Sequence, residues 1–394
     1  MSKSMVQLNT HFKKLKREYV FPIIERKLAE VREKHPDRSI VNLGVADVAL
    51  PLVPTVAQAI CQATQEMTAL ARGYGPSEGY LFLREAISQK CYGKLGISPE
   101  EIFISEGTNG DSTNILELFG PKCKIGIADP TYPAYLDAAI ISGRLSKVTL
   151  LPCTAETDFS PAPPQEHLDL IYLCSPSNPT GVAMNRTQLK SWVDYALREK
   201  AILLLDNAYE AFVTSPDVPR SIYEIERAKE VAIEFRSFSK SAGFTGLRCA
   251  YAVVPKAIEK GALNTMWLKR QSIKFNGVSY PIQRGAEASL SSQGLQETKA
   301  QVQQYLEQGN VLYKGLQKLG FSCVGGRDAP FIWWKVPSGK TSWQFFDEIL
   351  EKCHLISIPG RGFGHHGEGY IRLATFTTPE QANLALDRLD LLRN

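Results

Sequence analysis

The sequence predicts an α/β protein in which one large, mostly parallel sheet covered by helices is joined to a smaller α+β domain. Three observations predict it. Short apolar runs of strand length recur through the first two-thirds of the chain, amphipathic helical stretches lie between them, and beyond a long polar helix the elements become shorter and mixed. The chain has 394 residues, 44% of them hydrophobic and 22% charged, which is enough for a sizeable core.

Residues 1–40 read as a polar arm carrying a helix over 21–34. Strand-like runs follow at 102–105, 124–129, 168–174, 201–206, 231–235 and 249–254, with helices at 56–67, 81–91 and 186–199 among them. A long polar helix covers 295–319. After it come strands at 331–336, 355–358 and 370–374 and helices at 342–353 and 379–392. The expected division is an arm over 1–42 that shares in the small domain, a large domain over 43–285 and a small domain over 286–394.

The 45 basic and 41 acidic residues leave a net charge of +4, without the clustered basic face that nucleic acid requires. The local run Lys13, Lys14, Lys16, Arg17 reads as a solvated helix face. The eight cysteines form no C-x-x-C pair, so neither a disulfide framework nor a zinc module is expected. The N-terminus lacks the apolar stretch of a signal peptide, and no apolar run reaches the ~18 residues of a membrane span. These features predict a cytoplasmic protein with no metal, nucleic-acid or membrane partner.

In open α/β sheets, ligands gather beyond the carboxyl ends of the strands. Here those ends carry Glu106-Gly107-Thr108-Asn109-Gly110-Asp111, Pro130-Thr131-Tyr132-Pro133, Ser175-Pro176-Ser177-Asn178-Pro179-Thr180-Gly181, Asn207-Ala208-Tyr209 after Asp206, and Arg236-Ser237-Phe238-Ser239-Lys240 before Gly246-Leu247-Arg248. Each has an ordinary reading when taken singly: a solvated lysine, a helix cap at Asp206, a turn at Asn178-Pro179. Five such motifs in order at successive strand ends are hard to assign to coincidence.

Together they resemble the fold-type-I, class I/II aminotransferase family over essentially the whole chain. Residues Ser237-Phe238-Ser239-Lys240-Ser241-Ala242-Gly243-Phe244-Thr245-Gly246-Leu247-Arg248 are similar to that family's lysine signature, with Cys249 where an aliphatic residue is usual. The resemblance implies a seven-stranded large-domain sheet and pyridoxal phosphate as cofactor. It implies that Lys240 carries the cofactor as a Schiff base and then works as general acid and base. Arg248 would bind the phosphate as a fork, with Ser237, Ser239, Thr108 and Asn109 adding hydrogen bonds. Asp206 would face the pyridine nitrogen, Asn178 and Tyr209 the ring oxygen, and Tyr132 a ring face. Arg372, on the strand Gly369-Tyr370-Ile371-Arg372-Leu373, would take the substrate α-carboxylate.

A finer resemblance is to the LL-diaminopimelate branch of that family. It is carried by Glu18-Tyr19-Val20-Phe21, Leu43-Gly44-Val45-Ala46-Asp47, Gly73-Tyr74-Gly75, Phe275-Asn276-Gly277 and 359–372. It implies that Tyr19 and Gly44 line the substrate pocket, that Tyr74 reaches the cofactor phosphate of a neighbouring subunit, and that Asn276 meets substrate across a homodimer. The implied reaction is tetrahydrodipicolinate plus glutamate to LL-2,6-diaminopimelate plus 2-oxoglutarate, in either direction. Two departures bear on specificity. Gly107-Thr108-Asn109 stands where the family often has Gly-Ala-Lys, and Pro76-Ser77-Glu78-Gly79 shifts by one position the acid that would meet the distal amino group. Either Glu78 takes that role or the recognition is relaxed, so a broader aromatic or alanine aminotransferase and a C–S lyase stand as alternatives. A PLP-binding regulator is disfavoured because the arm is too short for a DNA-binding domain. Residues 362–367 match G-x-G-x-x-G, but a strand rather than a helix follows, which fails the dinucleotide context. His365-His366 lacks metal-ligand spacing and reads as a flexible surface loop.

Overall fold

Leu203, Leu204 and Leu205 are all essentially without solvent exposure. Successive strand residues face opposite sides of a sheet, so a strand buried at every position must be covered on both faces. Leu203 and Leu205 join one apolar cluster with Ile171, Leu173 and Trp192, whereas Leu204 joins another with Tyr172, Ile233 and Trp267. In the computed structural model, which describes residues 6–15 and 20–393, this strand lies at the centre of the large sheet.

Among the described residues that sheet has seven strands: β1 Ile102–Ser105, β2 Ile125–Asp129, β3 Val148–Pro152, β4 Leu170–Cys174, β5 Ile202–Asp206, β6 Ala232–Ser237 and β7 Ala250–Val253. Their spatial order is β1-β7-β6-β5-β4-β2-β3, with β7 antiparallel to both neighbours and the other pairs parallel. Parallel pairing aligns the carboxyl ends. Asp206 is in register with Cys174 on one side and Phe235 on the other. The sequence pattern did not mark β3. It is an edge strand with partly exposed residues and a terminal proline, so the continuous apolar run of a buried strand is absent.

A second sheet, antiparallel, holds β8 Cys323–Gly325, β9 Phe331–Lys335, β10 Ile358–Pro359 and β11 Tyr370–Ala374 in the order β10-β11-β9-β8. The expected strand over 355–358 is split. Leu355–Ile356 pairs in parallel with Val41–Asn42, and Ile358–Pro359 pairs with β11. Trp334 faces a cluster with Leu312, Leu316 and Phe345, while Trp333 faces one with Ile24, Phe346 and Ile358. The arm helix Val20–Lys34 thus packs on the small sheet through Val20, Ile24 and Val31. The long helix Ser292–Lys318 starts where Ser291 accepts from the Gly294 N–H. Among the described residues no helix is long and apolar enough to cross a membrane.

A carboxylate on the small-sheet side reaches the large domain. Asp328, before β9, accepts from the Thr214 N–H (2.7 Å) and hydroxyl (2.9 Å) and from the Ser215 N–H (2.8 Å) and hydroxyl (2.6 Å). Partial burial alone would raise its pKa, but these donors hold it below the ordinary carboxylate value. A depressed folded value gives stability that is present above the unfolded carboxyl pKa and lost as pH falls through the folded one. Asp328→Ala should therefore lower stability by roughly 2–3 kcal/mol at pH 7, the worth of charged hydrogen bonds. The deficit should shrink towards pH 3, as read from urea midpoints. An equal deficit at both pH values would show that the charge plays no part.

Candidate functional site

The carboxyl ends of β1, β2, β4, β5 and β6 open on a cavity of about 380 Å³ whose lining includes Thr108, Asn109, Tyr132, Asn178, Asp206, Tyr209, Ser237, Ser239, Lys240, Arg248 and Arg372. Parallel strands with common ends place there residues that are far apart in the chain. Among the described residues no group of three metal-ligating side chains occurs.

Asp206 ends β5 and is buried, with Oδ2 accepting from the Tyr135 hydroxyl at 2.6 Å. Its Oδ1 has no hydrogen-bond partner among the described residues. Burial pushes the carboxyl up to about 6, and the bonds from Tyr135 and the Ala208 N–H limit the rise. A buried, half-satisfied carboxylate facing a cavity is a receptor for a cationic or N–H donor group.

Lys240 lies in the short helix Phe238–Ser241, capped by Ser237, whose hydroxyl accepts the Ser239 N–H at 3.0 Å. The Lys240 ammonium donates to the Ala46 carbonyl. Burial, with Arg372 and Arg248 adding to it and Asp47 opposing, pulls its pKa down to about 8. A neutral, nucleophilic amine is therefore accessible near neutrality. Arg248 has φ +61, a left-handed conformation uncommon for a side chain of this size. Its Nη1 donates to the Thr245 carbonyl, and its Nη2 lies so close to Gly107 that a Cβ there would stand 2.4 Å away. Glycine at 107 is what lets the guanidinium reach the loop before Thr108.

Arg372 on β11 is buried, donating from Nη1 to Asn178 Oδ1 and from Nη2 to the Gly44 carbonyl, both at 2.6 Å. The rings of Phe331 and Phe363 lie 4.7 and 4.8 Å from its guanidinium carbon. Burial pulls its pKa down to about 10. The Tyr132 hydroxyl donates to Asn109 Oδ1 at 3.3 Å, and burial raises the Tyr132 and Tyr209 phenols.

Not every expected site residue gathers here. Gly44 is buried and meets Arg372 through its carbonyl. Tyr74 is 88% exposed and Asn276 is exposed, and neither lines the cavity of its own chain. Tyr19 lies outside the described residues. Glu78 is drawn to Arg84, 3.7 Å away, and does not line the cavity. The His365-His366 segment is not a free surface loop, because the His366 imidazole Nδ1 donates to buried Asp129 at 2.8 Å. Sequence reasoning missed Ala46, Asp47, Cys174, Ala208 and Thr245 in the lining. It also missed Tyr135, three residues beyond Tyr132 on the helix Ala134–Ile141, and Asp111, which burial raises to about 7.

The model of the family described as aminotransferase class I and II matches residues 38–389. Two LL-diaminopimelate aminotransferases, from Desulforapulum autotrophicum and Lawsonia intracellularis, are 46% and 44% identical to this chain, each alignment covering 98% of both sequences. The solved L,L-diaminopimelate aminotransferase from Chlamydomonas reinhardtii superposes with a TM-score of 0.94 at 38% identity, covering both chains completely.

The raised Asp206 pKa has a consequence in the cofactor-free protein. A raised folded value gives stability present below the unfolded pKa and lost as pH rises through about 6. Asp206→Asn should therefore stabilise the apoprotein by about 3 kcal/mol at pH 8, and by almost nothing near pH 3.5. Urea titrations at the two pH values test this, and an unchanged midpoint at pH 8 would refute the cost assigned to the carboxylate.

Proposed function

The chain belongs to the class I and II aminotransferases, a pyridoxal-phosphate-dependent family, and from that we propose that it interconverts tetrahydrodipicolinate plus L-glutamate with LL-2,6-diaminopimelate plus 2-oxoglutarate. The observation that carries this reading is the meeting, in one cavity, of a lysine pulled towards neutrality, a buried carboxylate with a free oxygen, and a buried guanidinium without an acid partner among the described residues. The substrate pair comes from the relatives' activity, at 44–46% identity over nearly the full length.

The residues fit pyridoxal phosphate. Asp206 Oδ1 is an orphaned acceptor suited to a protonated ring nitrogen. Arg248 over Gly107, with Ser237, Ser239, Thr108 and Asn109, forms a cradle suited to a phosphate. Asn178 and Tyr209 suit the ring oxygen, and Tyr132 a ring face. When bound, pyridoxal phosphate supplies the electron sink that makes an amino acid's Cα–H acidic.

Lys240 would anchor the cofactor and, as a free amine, would move the proton from the substrate Cα. Burial supports both tasks, since it keeps a useful fraction of the amine unprotonated near pH 8. Arg372 binds the α-carboxylate, with Asn178 and Gly44 fixing the plane of its fork. The donor leaves as a keto acid and the acceptor takes the amino group in a second half-reaction, so one site serves both substrates in turn. Gly44 serves the substrate side through the carbonyl that orients Arg372, and Tyr74 and Asn276 serve the neighbouring subunit's site in a homodimer. Their outward exposure accords with that role. Glu78 held by Arg84, together with a neutral Asn109, favours a second reading in which the distal amino group is recognised loosely and other amino acids are accepted.

Half-reactions decide between them. The loaded enzyme should release 2-oxoglutarate from glutamate and accept amine from LL-diaminopimelate. Equal rates with aromatic amino acids or alanine would establish the broader reading, and pyruvate from cystathionine a lyase. Lys240→Ala should lower turnover by roughly 10³-fold or more. Arg372→Ala should raise KM for glutamate by roughly a hundredfold, the cost of removing one partner of a buried charge pair. Wild-type rates in the first or a wild-type KM in the second would refute the role assigned to that residue.

A further inference from the structure

Asp129 ends β2 three residues before Tyr132, and it is almost fully buried. Its Oδ2 collects three donors from the segment that leads into β11: the His365 N–H (3.2 Å), the His366 N–H (3.4 Å) and the His366 imidazole Nδ1 (2.8 Å). Facing a carboxylate, that ring nitrogen donates. Oδ1 lies against Gly364, where a Cβ would stand 1.6 Å from it and where φ is +146, so only glycine is tolerated. One residue earlier, the Phe363 carbonyl accepts the Thr131 N–H at 3.0 Å. The Phe363 ring then packs over the Arg372 guanidinium, 4.8 Å from its central carbon.

These contacts form one chain, from a buried carboxylate on the large sheet, through the 363–366 turn, to one of the two aromatic faces enclosing the site's buried cation. A planar guanidinium binds a carboxylate through both N–H edges only if its plane is fixed. The opposite ring, Phe331, belongs to β9 and is held by its own sheet. Phe363 closes the 3-10 helix Gly360–Phe363, its ring packs against Trp333, and the turn that follows fixes where that helix ends.

We propose that Asp129 and His366 form a latch that positions Phe363 against Arg372 and thereby sets the affinity of the site for substrate carboxylates. Both are positioning residues, and the inference rests on the reading of Arg372 as the carboxylate site. Asp129 accepts from the large-sheet side, and His366 closes the latch with a side chain that is 35% exposed. His366 can therefore be replaced with little risk to folding.

The test is steady-state kinetics of the holoenzyme with glutamate, alongside the Arg372→Ala reference. His366→Phe removes the imidazole donor and should raise KM about tenfold, the scale of one lost charged hydrogen bond, while kcat stays within about threefold. His366→Asn returns an N–H to nearly the same place and should restore KM. Phe363→Leu should raise KM similarly, and the double variant His366→Phe/Phe363→Leu should be no worse than the poorer single variant, since both cut one chain of contacts. A wild-type KM in His366→Phe, a loss confined to kcat, failure of His366→Asn to rescue, or additive effects in the double variant would each overturn the latch. If Arg372→Ala itself leaves KM unchanged, the carboxylate reading falls and the latch falls with it. If Arg372→Ala raises KM and His366→Phe does not, the latch alone falls.

Discussion

Arg372 is a buried cation with no carboxylate partner among the described residues. Such a charge costs several kcal/mol to bury unless its surroundings compensate it. The compensation comes from every side of the molecule: an amide oxygen from the loop after β4, a carbonyl from the segment after the arm, and aromatic faces from β9 and from the turn before β11. Each is a dipole or a quadrupole rather than a counter-charge. The guanidinium is therefore oriented without being neutralised, and its attraction for an arriving anion is retained. The relation of the small sheet to the large one follows from this, because the cation is on one and its amide partner on the other.

The other ionisable groups around the cavity show the same logic. Burial raises Asp206 to about 6 and lowers Lys240 to about 8. Each is displaced towards its neutral form, as expected where desolvation outweighs local partners. A site so composed reduces the stability of the empty protein. The offset is packing elsewhere: both faces of the large sheet are sealed by separate apolar clusters, and both faces of the small sheet by two more. Groups held away from their ordinary pKa values are the ones that a charged ligand can stabilise, so the empty site's cost and its capacity to bind have one origin.

The central strands and the cofactor loops were legible in the sequence because they obey local rules. Residues 202–206 form a continuous apolar run ending in Asp206, and a strand buried on both faces reads that way. Edge strand β3 escaped because only one of its five residues is buried and its pattern is ambiguous. Ala46 stood inside the 43–47 motif without a role of its own, since a carbonyl that accepts from Lys240 needs no particular side chain. Tyr135 was hidden for a different reason. Its hydroxyl serves Asp206 across 71 residues of sequence, and only the alignment of β2 and β5 in space brings the two together. The His365-His366 pair looked like a solvated turn because its partner, Asp129, lies more than 230 residues away.

Two aspartates join the sheets in opposite senses. Asp129 reaches from the large sheet to the 364–366 turn, and Asp328 reaches from the small sheet to Thr214 and Ser215. They lie at the two ends of the region that carries Arg372: one holds the turn before β11, and the other precedes β9, the strand paired with it. The two fastenings, made of hydrogen bonds to buried or partly buried carboxylates, add polar links to the apolar cluster in which Tyr209 and Phe212 meet Phe331, Ala374 and Phe376. Both carboxylates accept mainly from backbone N–H groups or short hydroxyls, which lose little side-chain entropy on being held. The guanidinium is thus placed by short, stiff connections rather than by long flexible ones. A cation kept unpaired requires such connections, since nothing of opposite charge holds it in place.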